Sequence, residues 1–214
     1  TGVEDTLIGG LAGDALTTGQ YNVALGSLAL SSDTKGNTST AIGRAALQNQ
    51  NFTTSTSTYN VAVGYNAGVQ VTTGQVNTIV GALAGDAITT GDYNVVLGVS
   101  ALGANTASNK NTAIGSNVMV NFNVTTDSDS FNTAVGYESA KNLTTGALNT
   151  LYGAAVGDAL TDADRNVAMG YAALSQDTLG SRSTALGYGS LGSQNHSTAT
   201  DTYNTAVGYA SGNS

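Results

Sequence analysis

Tyr59-Asn60-Val61-Ala62-Val63-Gly64 and Phe131-Asn132-Thr133-Ala134-Val135-Gly136 are two copies of one phrase, set 72 residues apart. The phrase, Asn-Thr/Val-small-aliphatic-Gly, recurs twelve times with minor variation. It closes in turn on Gly9, Gly26, Gly43, Gly64, Gly81, Gly98, Gly115, Gly136, Gly153, Gly170, Gly187 and Gly208. The steps between these glycines run 17, 17, 21, 17, and the same series then begins again. Other residues keep the longer period: Gly13-Asp14-Ala15 returns as Gly85-Asp86-Ala87 and as Gly157-Asp158-Ala159. Seventeen residues cannot enclose a core alone, but stacked repeats share one. The pattern predicts an all-β, repetitive β-solenoid of 17- and 21-residue coils. Its three tandem 72-residue units form one array over 1–214, divided at about 1–72, 73–144 and 145–214.

Each repeat opens on a β-branched or small strand segment. A small-residue stretch follows, readable as a second strand or a single helical turn. Thr-Thr-Gly at 17–19, 72–74, 89–91 and 144–146 reads as a turn with glycine at positive φ. Alternation places Val23 and Leu25 on one side of their strand, and Asn22 and Ala24 on the other. The residue before the glycine never turns polar: Ile8, Leu25, Ile42, Val63, Val80, Leu97, Ile114, Val135, Met169, Leu186 and Val207, with Tyr152 the aromatic exception. These are expected to form an inward ladder. The core would be thin and rich in alanine, which predicts three chains sharing an axis. The asparagines are expected to ladder as well, each amide bonding to neighbouring coils.

The composition narrows the function. The chain of 214 residues has 28 glycines, no proline and no cysteine, and a net charge of −8. Thiolate metal sites and disulfide scaffolds are excluded. Six scattered Lys/Arg residues cannot neutralise many phosphates, so a nucleic-acid partner is not expected. No apolar run approaches the ~20 residues that cross a bilayer, so no membrane insertion is expected. His196 is the single histidine, which rules out a histidine-based triad or metal cluster within one chain. Gly187-Tyr188-Gly189-Ser190-Leu191-Gly192 matches a dinucleotide fingerprint in letters only, because no βαβ unit surrounds it. No cofactor and no enzymatic activity are expected.

Nine of the ten tyrosines occupy two repeat positions. Tyr65, Tyr137, Tyr171, Tyr188 and Tyr209 follow the motif glycine; Tyr21, Tyr59, Tyr93 and Tyr203 precede the asparagine, with Phe131 in the same slot. They read either as packing between coils or as a stacking row for sugars. The longer repeats carry polar insertions, TTSTST at 53–58, TTDSDS at 125–130 and STATDT at 197–202, expected to protrude from the rod. Asp127 and Asp129 alternate there, but the spacing is not that of a calcium-binding nonapeptide, and a solvated loop is the reading. Just before each insertion stands an Asn-x-Ser/Thr triplet, at Asn51, Asn123 and Asn195. These are candidate glycan attachment sites, or Asx turns that open the loops.

The pentads NVAVG, NTAIG and NTAVG, followed by Tyr-x-Ala, resemble the YadA-like head repeats of trimeric autotransporter adhesins. They resemble still more the NTAVGY-type repeats of bacteriophage tail fibres. The resemblance implies a left-handed parallel β-roll assembled as a trimer; the longer step and the 21-residue repeat depart from the head pattern. The resulting expectation is a fibre shaft or filament protomer, extracellular or on a virion surface, that associates with itself as a homotrimer or head to tail. The alternative is an adhesin head that binds a cell-surface glycan or host surface. An ice-binding solenoid is disfavoured, because it needs a threonine array on every coil. Joining the end of the chain to its start falls two residues short of three full units, just before the turn at Thr1-Gly2. This predicts a window of a longer array, or protomers that abut.

Overall fold

The computed structural model describes residues 3–213. The turn at Thr1-Gly2 lies outside them. The described residues form an all-β solenoid with no helix. Twelve three-residue strands, from Thr6–Ile8 and Val23–Leu25 through to Thr184–Leu186 and Thr205–Val207, stack in chain order into one parallel sheet. Every pairing is in register, motif on motif: Val61 sits beside Thr78, Ala62 beside Ile79 and Val63 beside Val80.

The motif glycine is required twice over. Gly64 has φ +143°, and a Cβ there would lie 2.4 Å from the carbonyl oxygen of Gly81 on the next coil. The stretch after it is neither a strand nor a helical turn. It is a run of turns in which left-handed residues alternate with right-handed ones. Leu28 (φ 63°) and Leu30 (φ 53°) therefore aim their N–H groups in opposite directions, to Gly10 O on the coil before and Ala46 O on the coil after. Each such leucine costs about 1–2 kcal/mol of backbone strain, offset by the hydrogen bonds to both neighbours.

The Thr-Thr-Gly turns differ from expectation. Gly19, Gly74, Gly91 and Gly146 do not take positive φ; the left-handed residue comes two positions later, at Tyr21, Val76, Tyr93 and Leu148. What these glycines supply is closeness, since a Cβ on Gly74 would stand 2.5 Å from Gly91 O.

The larger correction concerns the faces of the strands. The middle residue of the motif points inward, and the aliphatic before the glycine does not. Ala24, Ala41, Ala62, Ile79, Val96 and Ala113 are fully buried, whereas Ile8, Leu25, Val80, Tyr152, Met169 and Val207 are exposed. Ile42, Val63, Leu97, Ile114, Val135 and Leu186 are partly covered. The asparagine decides the parity. Asn60 donates to Gly74 O at 2.7 Å across its own coil, and its Oδ1 accepts the N–H of Asn77 at 2.9 Å on the next. Asn22, Asn77, Asn94, Asn132 and Asn149 are tied to their own coil in the same way and are fully buried or nearly so. A residue two positions after a buried asparagine must also face inward.

The core inside is narrow and is filled by exchange of volume. In the Gly-Asp-Ala coils a large strand residue faces a glycine: Leu7 with Gly13, Ile79 with Gly85, and Leu151 with Gly157. Other coils reverse the sizes, pairing Ala24 with Leu30, Ala41 with Leu47 and Ala168 with Leu174, all buried in one cluster. In these pairs bulk at one position is matched by a small residue at the other, and the Gly-Asp-Ala coils repeat that match every 72 residues.

Candidate functional site

Outward-facing positions concentrate the exposed apolar side chains of this molecule. In the centre runs the row that includes Leu25, Val80, Met169 and Val207. Flanking it on the N-terminal side of each strand is the residue before the asparagine: Tyr21, Tyr59, Val76, Tyr93, Phe131, Leu148 and Tyr203. On the C-terminal side stands the residue after the glycine: Tyr65, Val99, Tyr137, Tyr171, Tyr188 and Tyr209. The N-terminal column is strained. Tyr21, Tyr59, Tyr93, Phe131 and Tyr203 have φ between 51° and 60°. Such positions suit glycine or asparagine. Large aromatics held there, about half or more in solvent, are not explained by local backbone chemistry.

The aromatic faces are already covered along the axis of the stack. Tyr171 and Tyr188 stack at 5.3 Å between ring centroids and 20° between planes, and Tyr188 and Tyr209 at 5.2 Å and 12°. Arg44 lies 5.6 Å from the Tyr65 ring centre, Lys110 5.1 Å from that of Phe131, and Arg182 5.6 Å from that of Tyr203. Six rings thus touch a neighbouring coil, whereas Tyr21, Tyr59, Tyr93 and Tyr137 have neither a stacked ring nor a cation over them.

The insertions form short ledges. Thr56–Ser57 pairs with Gly36–Asn37, Ser128–Asp129 with Ser108–Asn109, and Thr200–Asp201 with Gly180–Ser181. Most of their residues are exposed, but Thr58 and Ser130, at the end of the first two, are buried. Cations of the preceding coil hold two ledges: Lys110 Nζ meets Asp129 at 2.6 Å, and Arg182 Nε meets Asp201 at 2.8 Å. The Lys110 ammonium beside Asp129 holds that carboxyl below the usual carboxylate range.

Asn51, Asn123 and Asn195 occupy one structural position. Each Oδ1 accepts a hydrogen bond from a threonine 17 residues earlier, Thr34 at 3.1 Å, Thr106 at 3.0 Å and Thr178 at 3.5 Å. Asn51 and Asn195 are exposed and Asn123 is half-buried.

Beneath two ledges lies a feature that sequence reasoning missed, a buried carboxylate. Asp33 Oδ1 accepts the N–H groups of Gly36 and Phe52 at 3.0 Å each, and Oδ2 accepts from Gln50 at 2.6 Å. Asp177 repeats this with Gly180, His196 and Gln194, and His196 Nδ1 adds a contact at 3.3 Å. Burial pushes the Asp177 carboxyl up, but the bonds from Gln194, His196 and Gly180 together hold it below the usual range. The middle unit substitutes Asn105, Ser108 and Phe122 for Asp, Gly and Gln. The signal was present as Asp-x-x-Gly with glutamine 17 residues on.

Among the described residues no group of three His, Cys, Asp or Glu side chains could hold a metal ion, and no helix is long and apolar enough to cross a membrane. No family model, curated protein or solved structure matches this chain.

Proposed function

We propose that this chain is a shaft segment of an extracellular or virion-surface fibre. It acts as a spacer without catalytic activity, and copies associate side by side as a homotrimer through the outward face of the twelve-stranded sheet. The observation that carries this reading is the apolar row of Leu25, Val80, Met169 and Val207, exposed along the twelve-stranded sheet and flanked by aromatics. At ~4.8 Å per strand the face is about 55 Å long. With its flanking columns it offers area on the order of the ~800 Å² per partner of a stable interface. Tyrosine, with tryptophan and arginine, is enriched among the anchor residues of such interfaces, which gives the strained tyrosines a role. Along the axis, in-register backbone bonds join every coil to the next, as a load-bearing rod requires.

The adhesin reading draws on the three exposed ledges, whose hydroxyl groups are available to a polar partner. It places binding at 53–58, 125–130 and 197–202 rather than on the tyrosines.

Sedimentation velocity at micromolar concentration, with electron microscopy of the same sample, tests the shaft reading. A trimeric rod is expected. A monomer that persists across that concentration range would overturn lateral association.

A further inference from the structure

Tyr171, Tyr188 and Tyr209 are alone among the ten tyrosines in stacking on one another. They follow the motif glycines of three successive coils, and the neighbouring coil on the N-terminal side carries Ala154 in that place. Their centroid distances, 5.3 and 5.2 Å, are close to the separation of adjacent strands. The planes are within 20° of parallel, and all three side chains are more than half exposed. None of the three hydroxyls makes a hydrogen bond to another described residue, whereas Tyr203 donates to Asp201. Aromatic pairs gain only modest stability from stacking, so contact energy alone gives no reason for three phenols in a row.

The geometry points to an oxidative cross-linking site: we infer that Tyr188 forms a dityrosine bond with Tyr171 or Tyr209 when the protein meets a peroxidase-type one-electron oxidant and hydrogen peroxide. The chemistry favours parallel rings. Loss of one electron and one proton from each phenol leaves two phenoxyl radicals, with spin density on the carbons ortho to oxygen. That spin occupies p orbitals perpendicular to each ring, so rings stacked face to face direct those lobes at each other. The two ortho carbons join, and each then passes its hydrogen to its ring oxygen, which restores both phenols. In total two tyrosines lose two hydrogens and one hydrogen peroxide becomes two waters. Backbone in-register pairing holds the reacting side chains together: Met169 and Leu186, two residues before Tyr171 and Tyr188, are direct partners, as are Leu186 and Val207 before Tyr188 and Tyr209. The bond would tie one coil covalently to the next, where hydrogen bonds alone now join them. The inference does not depend on lateral association, since both partners belong to one chain.

The test is treatment of the whole chain, at concentrations dilute enough to separate molecules, with horseradish-type peroxidase and limiting hydrogen peroxide. Dityrosine fluorescence and peptide mass mapping are read out. Expected is a monomeric product lighter by two hydrogens, with the new bond between the peptides carrying Tyr188 and either Tyr171 or Tyr209. Tyr188→Phe keeps the ring and should abolish that product, because Tyr171 and Tyr209 are separated by a full coil. Tyr137→Phe, whose ring has no stacked neighbour, should leave it unchanged. The inference is overturned if the bond persists in Tyr188→Phe, if it maps to other tyrosines, if only intermolecular bonds form, or if the folded protein yields none.

Discussion

Asn60 Oδ1 receives the backbone N–H of Asn77 at 2.9 Å, and Asn77 Oδ1 in turn receives that of Asn94 at 2.9 Å. The chain of amides runs up the inside of the solenoid where water does not reach. Asn77→Ala would leave the N–H of Asn94 and the carbonyl of Gly91 without these partners. The expected loss is about 3 kcal/mol, given ~1–3 kcal/mol for each buried group left unpaired. Urea denaturation would show it as a lower midpoint at unchanged slope. Asn142→Ala, on an exposed residue, serves as the control and should stay within ~0.5 kcal/mol of wild type.

Gly85 and Ile88 are fitted to each other. A Cβ on Gly85 would stand 2.8 Å from Ile88 Cδ1, at φ +51°. Gly85→Ala should therefore cost about 1–3 kcal/mol from crowding and strain. Ile88→Val removes the crowding atom at a cost of its own of ~1 kcal/mol. The double variant should be more stable than the sum of the two by about 1 kcal/mol. Thermal unfolding of all four proteins measures the coupling, and strict additivity would show that the contact is unimportant.

Stability should fall in acid through Asp177. Its folded carboxyl is held below the unfolded value, so its contribution is complete above the unfolded pKa, about 3.9, and is lost as pH drops through the lower folded value. Denaturant midpoints should decline below about pH 4. Asp177→Asn should flatten that decline while lowering stability at neutral pH. An unchanged acid limb in the variant would assign the effect elsewhere.

Val80 and Ile79 are neighbours on one strand with opposite fates, the first exposed and the second fully buried. Val80→Asp should leave the circular dichroism spectrum intact and shift sedimentation toward monomer. Ile79→Asp should prevent folding, because an unpaired buried charge costs several kcal/mol. If Val80→Asp remains as associated as wild type, the outward sheet face is not where copies meet.

The solenoid was legible because its demands recur. Glycine at each motif end and the 17- and 21-residue steps left no other architecture, and the stacking order follows from them. The ledges at 53–58, 125–130 and 197–202 were legible from their polar run. The strand faces were not, because the rule that large aliphatics go inside points to Leu25 and away from Ala24. The buried asparagine sets the parity: the residue two positions on goes inside whether it is Ala24 or Ile79, and the next, Leu25 or Val80, faces out. Once the asparagine ladder is found buried, the inward row expected at Ile8, Leu25 and Val80 can no longer stand beside it. Parity along a strand permits one. The carboxylates of Asp33 and Asp177 escaped notice because acidic residues in a polar repeat read as surface, and only the glycines at Gly36 and Gly180 signalled that a side chain curls over them.

The seating of Ile79 over Gly68 of the coil before, as well as against Gly85 of its own coil, makes length a discrete quantity for this protein. A single coil cannot be removed freely, since each is fitted in volume to the coils beside it. Four coils can, because the fourth meets the first of the next unit in the same way at each junction. Excision of residues 73–144 should bring the coil of Gly68 against that of Gly157 with its bulky residue, Leu151, standing where Ile79 stood. Gain or loss of a whole 72-residue unit would lengthen or shorten the rod while leaving each surviving coil with the kind of neighbour it was shaped for.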